Sequence, residues 1–169
     1  MFKPIKKILS PILVVIKTTP VVSFIIVAFL WIGNALLPSF ISILMVFPIV
    51  YTNVLEGIES VPSEEHDLAK VFNFSFFTKV KSIYYPNVKG MFLAAAKTSI
   101  GLAWKAGIAA EVLVCTQNSI GLEIYNAKTY LETVDLFAWT LVVILLSILI
   151  EFGFSRLFIL LSRKKGEKR

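Results

Sequence analysis

EGIESVPSEEHDLAKVFNFSFFTKVKSIYYPNVK, residues 56–89, is a polar island in a chain whose flanking segments are too apolar for water. The stretch has an order of its own: an acidic helix start after Pro62, a stop at Asn73, a second short helix, and Pro86 opening the next apolar run. Ser63 is the expected N-cap and Asp67 lies near the positive end of that helix dipole, so the helix can run to Phe72. Asn tolerates the left-handed conformation better than most residues other than Gly, and Asn73 can therefore end it. Two short helices joined by a tight corner form a docking surface for a partner, which an idle connector between apolar segments does not need.

Composition sets the class. Hydrophobic residues make up 57% of the chain and charged residues only 17%, with a mean hydropathy of +0.80; this is the balance of an integral membrane protein, not a soluble domain. One bilayer crossing needs ~20 mostly apolar residues, and four segments qualify: about 8–33, 38–57, 88–115 and 134–161. They are too continuous for the alternating strands of an outer-membrane barrel. The expected fold is an all-α polytopic membrane protein. A single transmembrane domain over residues 1–169 would carry four transmembrane helices, with a cytoplasmic two-helix loop, residues 58–87, between the second and third. No cleavable signal peptide is evident. Cys115, the single cysteine, allows no internal disulfide and reads as a packing residue.

Charge orients the spans. Lys3, Lys6 and Lys7 precede the first, and Arg163, Lys164, Lys165, Lys168 and Arg169 follow the last. An even number of spans puts both termini on one face, and the Lys and Arg excess makes that face cytoplasmic, in the plasma (inner) membrane. The polar island, with Lys70, Lys79, Lys81 and Lys89, falls on the same side. The net charge of +6 is thus mostly topology, and nucleic-acid binding is a poor reading of it. Pro20 should kink or break the first span, with Lys17 snorkelling to the interface; Pro38 suits the first turn of the second, and Pro48 should bend it.

The loop resembles that of the permease subunits of ATP-binding-cassette importers, whose signature is Glu-Ala-Ala, three residues, Gly, nine residues, Ile, one residue, Leu-Pro. Asp67, Leu68 and Ala69 stand at Glu-Ala-Ala, Asn73 at the glycine, and Ile83, Tyr85 and Pro86 at Ile-x-Leu-Pro. The flanks are similar to the branch that takes up sulfonates, taurine, nitrate and thiamine precursors: Thr19-Pro20, Trp31-Ile32-Gly33, Phe47-Pro48, Asn53 and Gly57 precede the loop, and Gly101-Leu102-Ala103-Trp104, Ala110-Glu111 and Ser119-Ile120-Gly121-Leu122 follow it. Members of that branch carry further membrane helices before the region aligning with Met1, so the chain corresponds to the core and C-terminal part of such a permease. The resemblance implies a permease homodimer embedded in membrane lipid, docked by its coupling loops on separate ATPase subunits and fed by an extracytoplasmic solute-binding protein. ATP and Mg would sit on the ATPase and no cofactor in this chain, with a small organic anion or heteroaromatic vitamin precursor as cargo.

Within that frame the ATPase-coupling residues are Asp67, Leu68, Ala69, Phe72, Asn73, Phe76, Phe77, Ile83 and Pro86, since the phenylalanines would otherwise lie against water or lipid. Ionisable groups inside a membrane helix are costly and by default mark a pathway. Lys97, Thr98, Trp104, Lys105 and Glu111 of the third span are the candidate translocation path, with Lys105 expected near Trp104 and Glu111. The plainer alternatives are that Lys97 snorkels, that Glu111 sits at the outer interface, and that Glu151 pairs with a lysine or with Arg156. The lone His66 does not make a metal site. Without a Gly-rich phosphate loop or a Ser/His/Asp set, the chain is not expected to be an enzyme. A membrane protein that binds an ATPase or other membrane partner without moving cargo, including a truncated permease, is the alternative function.

Overall fold

Proline fixes where the first helices begin and end. In the computed structural model, which describes the backbone of residues 3–163 and the side chains of residues 6–158, α1 (Lys3–Thr18) stops just before Pro20 and α2 (Val21–Phe29) starts just after it. Pro20 has no N–H and its ring would clash with the carbonyl a turn earlier. Its own carbonyl instead accepts from Ser23 N at 3.0 Å to open α2. The two helices meet at 104°, so the expected first span of 8–33 is two separate limbs. Residues α3 (Leu37–Glu59), α4 (Ser63–Val71), α5 (Phe76–Lys79), a π-helical stretch Val80–Tyr84, α6 (Tyr85–Val114), α7 (Ile120–Thr129) and α8 (Thr133–Arg163) complete the order. The fold is all-helical. Of the cationic ends, the Lys3 and Arg163 side chains and Lys164, Lys165, Lys168 and Arg169 lie outside the described residues.

By length and composition α3 and α8 can cross a membrane, and the bent α1–α2 pair makes up to three crossings if it counts as one. This is fewer than the four expected. The reason lies in α6, which at 30 residues is long enough, but whose apolar run is interrupted by Lys97, Lys105 and Glu111. Pro48 sits inside a continuous α3. Below it, the Asn53 side-chain amide donates to the Ile49 carbonyl at 2.9 Å and Thr52 Oγ1 to the same carbonyl at 3.1 Å.

The chain forms two compact units. One combines the residues up to Pro48 with those from Ile100 onward. Its core is Ile25 and Ala28 of α2, Leu37 and Ile41 of α3, and Ala106, Ala110 and Val114 of α6. The turn before α3 is tied to the end of α6: Asn34 Nδ2 donates to the Val114 carbonyl at 3.1 Å, and Thr116 Oγ1 donates back to the Asn34 carbonyl at 3.2 Å. Beyond it α7 folds against α8. The second unit, Ile49–Ser99, is built around Val61, Ala69 and Ile83, with Phe74 and Tyr84 packed on them.

Three helix ends among the described residues close the same way. After α4, Phe74 N donates to Ala69 O and Asn73 N to Lys70 O; after α7, Glu132 N donates to Ala127 O and Leu131 N to Lys128 O; after α6, Thr116 N donates to Glu111 O. Each closure places one residue in the left-handed region: Asn73 at φ 47°, Leu131 at 60° and Cys115 at 51°. These are Schellman-type ends, which satisfy carbonyls that the helix leaves open. Leu at such a position costs about 1 kcal/mol relative to Gly. Leu131→Gly should therefore raise the thermal midpoint in detergent. Gly90→Ala, which meets nothing within 4 Å, should raise it by a similar amount through helix propensity. Gly121→Ala should lower it, through a loss of about 1–3 kcal/mol of stability, because the new methyl would run into Glu111 and lie 2.6 Å from Val112 N; an unchanged midpoint in Gly121→Ala would contradict the packing described.

Candidate functional site

Two places carry the chemistry-bearing residues, one in each unit. In the Ile49–Ser99 unit, α4 begins at Ser63 with Pro62 in the capping position and no side-chain cap, so the expected Ser63 N-cap is displaced by one residue. Proline's fixed φ suits the helix entrance, and Glu64 and Glu65 supply the negative charge of the first turn. Asp67 accepts from Lys70 Nζ at 2.9 Å on the exposed face, and that hydrogen bond and charge hold its carboxyl below the usual range. So exposed a pair contributes little to stability.

Asn73 turns the chain with the left-handed φ expected of it. Ser75 then caps α5, its hydroxyl accepting from Thr78 N at 3.3 Å. The second short helix is not free-standing, as the sequence suggests. It runs through Val80–Tyr84 into α6, and Pro86 falls at the second position of α6, exposed. The wide π turn absorbs one extra residue without breaking the helix, a device frequent at functional positions.

The expected coupling residues divide into an inner and an outer set. Ala69 (2% exposed) and Ile83 (5%) are core, pinning α4 to the π turn. Leu68, Phe72, Phe76 and Phe77 point outward, Phe77 at 82% exposure, and Val71, which the sequence reading passes over, joins them. The Phe76 and Phe77 rings meet edge to face at 5.8 Å. An apolar knob of this kind is more than scattered surface hydrophobicity.

In the other unit Trp104 separates two clefts of about 370 Å³ each. One is lined by Ser39, Ser42, Trp104, Gly107 and Glu111 among others, and the other by Trp104, Lys105, Ser147 and Glu151 with aliphatic residues of α8. Lys105 thus stands with Glu151, not Glu111: six residues along a helix is ~120° around it. Ser42 Oγ donates to the Ala103 carbonyl at 2.8 Å, and Trp104 Nε1 to the Val143 carbonyl at 3.4 Å.

Glu111 has a structural partner, since its carboxylate accepts from Gly121 N at 3.0 Å. It meets the N-terminus of α7 beside the Ser119 cap, whose hydroxyl accepts from Leu122 N at 3.1 Å. Gly101 leaves the gap in which the Glu151 carboxylate rests. Of the two partners expected for Glu151, a lysine or Arg156, Arg156 does not pair with it: five residues put the two on different faces, while Arg156 lies 5.0 Å over the Phe152 ring, a turn away. Lys97 and Thr98 belong to the Ile49–Ser99 unit, Lys97 exposed and Thr98 Oγ1 bonded to the Ala95 carbonyl at 3.0 Å. Ser39, Ser42, Ser147 and Glu151 are cleft residues missing from the expected path. Polar positions three or four apart inside apolar runs were the available signal. Among the described residues no group of His, Cys, Asp and Glu assembles that could hold a metal ion.

Residues 1–166 match the family described as binding-protein-dependent transport system inner membrane component. The chain belongs to this family. It is 26% identical over 132 residues, 77% of its own length, to a Bacillus subtilis (strain 168) protein named for aliphatic sulfonates transport, the permease protein SsuC. It is 28% identical over 129 residues, 75% of its length, to the nitrate import permease protein NrtB of Synechococcus elongatus. A Haemophilus influenzae ABC transporter permease protein is 23% identical over 152 residues, 89% of the chain. The chain covers 47%, 46% and 62% of these relatives, and so spans about half the length of the first two. The family is that of the permeases of ATP-binding-cassette importers.

The corner in this permease-family chain rests on one backbone conformation. Asn73→Gly should leave the loop intact, whereas Asn73→Val, strained at positive φ by about 1–2 kcal/mol, should increase limited-proteolysis cleavage between residues 71 and 76. Equal cleavage of the Val variant and the parent would refute the role given to the left-handed corner.

Proposed function

We propose that this chain is the permease subunit of an ATP-binding-cassette importer that docks on separate ATPase subunits through residues 58–87 and forms, as a homodimer, the path for a small solute. Four crossings, the first by α2 with the turn after it (residues 21–36) and the others by α3, α6 and α8, leave both termini and the loop in the cytoplasm, and an extracytoplasmic binding protein delivers the cargo. The observation that carries the reading is the outward knob of Leu68, Val71, Phe72, Phe76 and Phe77 in a chain of this family. Its base is fixed by Ala69 and Ile83, and α5 runs on through the π turn into α6. A push on the knob is thereby a push on α6, and ATP-driven closure of the ATPase pair would switch the spans between two packings. ATP and Mg belong to the ATPase.

The cargo reading rests on chemistry shared with the relatives, whose names give sulfonates and nitrate, both anions. Lys105 supplies the positive charge in a cleft that also offers Ser147 and Trp104, with the Glu151 carboxylate of the same lining set back in the gap at Gly101. Glu111 bears on the path indirectly, by holding α7, and Lys97 and Thr98 are path candidates by their polarity within an apolar run alone.

Phe72→Asp and Phe76→Asp should each abolish co-purification with a co-expressed partner ATPase while membrane insertion stays normal, since central apolar contacts of an interface commonly carry ~2 kcal/mol or more. Retained co-purification in both variants would sink the docking reading. Lys105→Met should leave insertion and docking unchanged and cut uptake of sulfonate or nitrate about tenfold, the loss of one charged hydrogen bond. Normal docking with no uptake by the parent chain under any anion would favour the non-transporting alternative.

A further inference from the structure

We propose that α1 is an interfacial helix that lies along an anionic lipid headgroup surface, so that the α1–α2 break marks the place where the chain turns from the membrane plane into the bilayer. Three stripes run along it. Ile16 and Leu13 are buried, with Leu9 half-buried beside them, so one side leans on protein. At ~100° per residue, Ile8, Ile12 and Val15 lie within ~60° of one another on one flank, and they are 68%, 50% and 55% exposed. Lys6, Ser10 and Lys17 lie within ~40° of one another on the opposite flank, with Lys7 and one aliphatic residue, Val14, at its edge, all exposed.

A helix leaning sideways on protein, with bare aliphatics on one flank and lysines on the other, fits a boundary between hydrocarbon and phosphate. It does not fit a crossing. A transmembrane α1 would carry Lys17 into the apolar interior just before Pro20, and the 104° angle makes α1 nearly parallel to the bilayer wherever α2 stands along its normal. At the end of α1 the Thr18 hydroxyl bonds back to the Val14 carbonyl at 2.8 Å, so this polar group is satisfied within the helix just before Pro20. The lysines select the lipid: basic residues near an anionic surface each strengthen binding about fivefold.

The inference needs only that the chain sits in a membrane, so it stands or falls apart from ATPase docking. It can be tested on the full chain in nanodiscs of equal parts phosphatidylcholine and phosphatidylglycerol, with Cys115→Ser and one spin label at a time at positions 8, 12, 15 and 10. Labels replacing Ile8, Ile12 and Val15 should be accessible to oxygen and report one depth, while the label replacing Ser10 should be accessible to a water-soluble nickel chelate. A spread of about 10 Å in depth from position 8 to position 15, the rise of seven helical residues, would overturn the proposal. So would labels shielded from both reagents, which would mean a protein partner on that flank. In a separate arm, Lys7→Gln with Lys17→Gln should abolish the enrichment of phosphatidylglycerol among lipids retained on purification, with each single variant intermediate. Enrichment that survives in all three would overturn the anionic part.

Discussion

A backbone N–H or C=O without a partner costs several kcal/mol in hydrocarbon, where water cannot supply one. This permease-family chain meets that constraint where α6 ends and α7 begins. The Asn34 amide closes the last carbonyl of α6, and Thr116 closes the carbonyl of Asn34. Ser119 and Glu111 close the first amides of α7. These bonds do more than satisfy atoms, because they join segments far apart in sequence. Asn34 and Val114 are 80 residues apart, and their bond fixes the turn before α3 against the tip of α6. Once that is set, Leu37 and Ile41 of α3 are delivered to Ala106 and Ala110 of α6, and α2 can pack on both.

The same constraint explains the small residues. Gly57 stands so close to Val88 and Met91 that an added methyl would lie 3.0 Å from the Val88 Cα. Gly107 approaches the Ser42 hydroxyl, which is thereby free to reach the Ala103 carbonyl at 2.8 Å. Close backbone approach lets a short polar side chain bond across helices instead of facing lipid.

Much of this was legible in the sequence, and the part that was not has physical causes. Apolar run length marked α3 and α8, Pro20 marked the break, and Asn73 marked a corner that only a few residue types accept. The angle at Pro20 was not legible, since proline ends one helix without dictating where the next points. The continuity of α5 with α6 was hidden because a π turn needs no special residue. Leu131 and Cys115 sit at positive φ against their own preference, imposed by the carbonyls they help to close. Ala69 and Ile83 read as contact residues and are core; one-dimensional spacing does not say which side of a two-helix corner faces in. Glu111 read as a path residue because a carboxylate in an apolar run looks unpaired, and its partner is a backbone amide on another helix.

The polarity of α6 has a further consequence for assembly. A lysine at the centre of a lipid-facing helix costs roughly 2.5–3.5 kcal/mol on insertion scales, and Lys105 is exposed in the chain taken by itself. The neighbouring Glu151 does not cancel that cost, because among the described residues it makes no ion pair with Lys105. Gly101 and the alanines of α6 leave little aliphatic surface to bury a lysine stem, so snorkelling from mid-helix is short of reach. Cover for this flank must then come from protein or water outside the chain. Further polypeptide or a water-filled path meets the need equally well on electrostatic grounds.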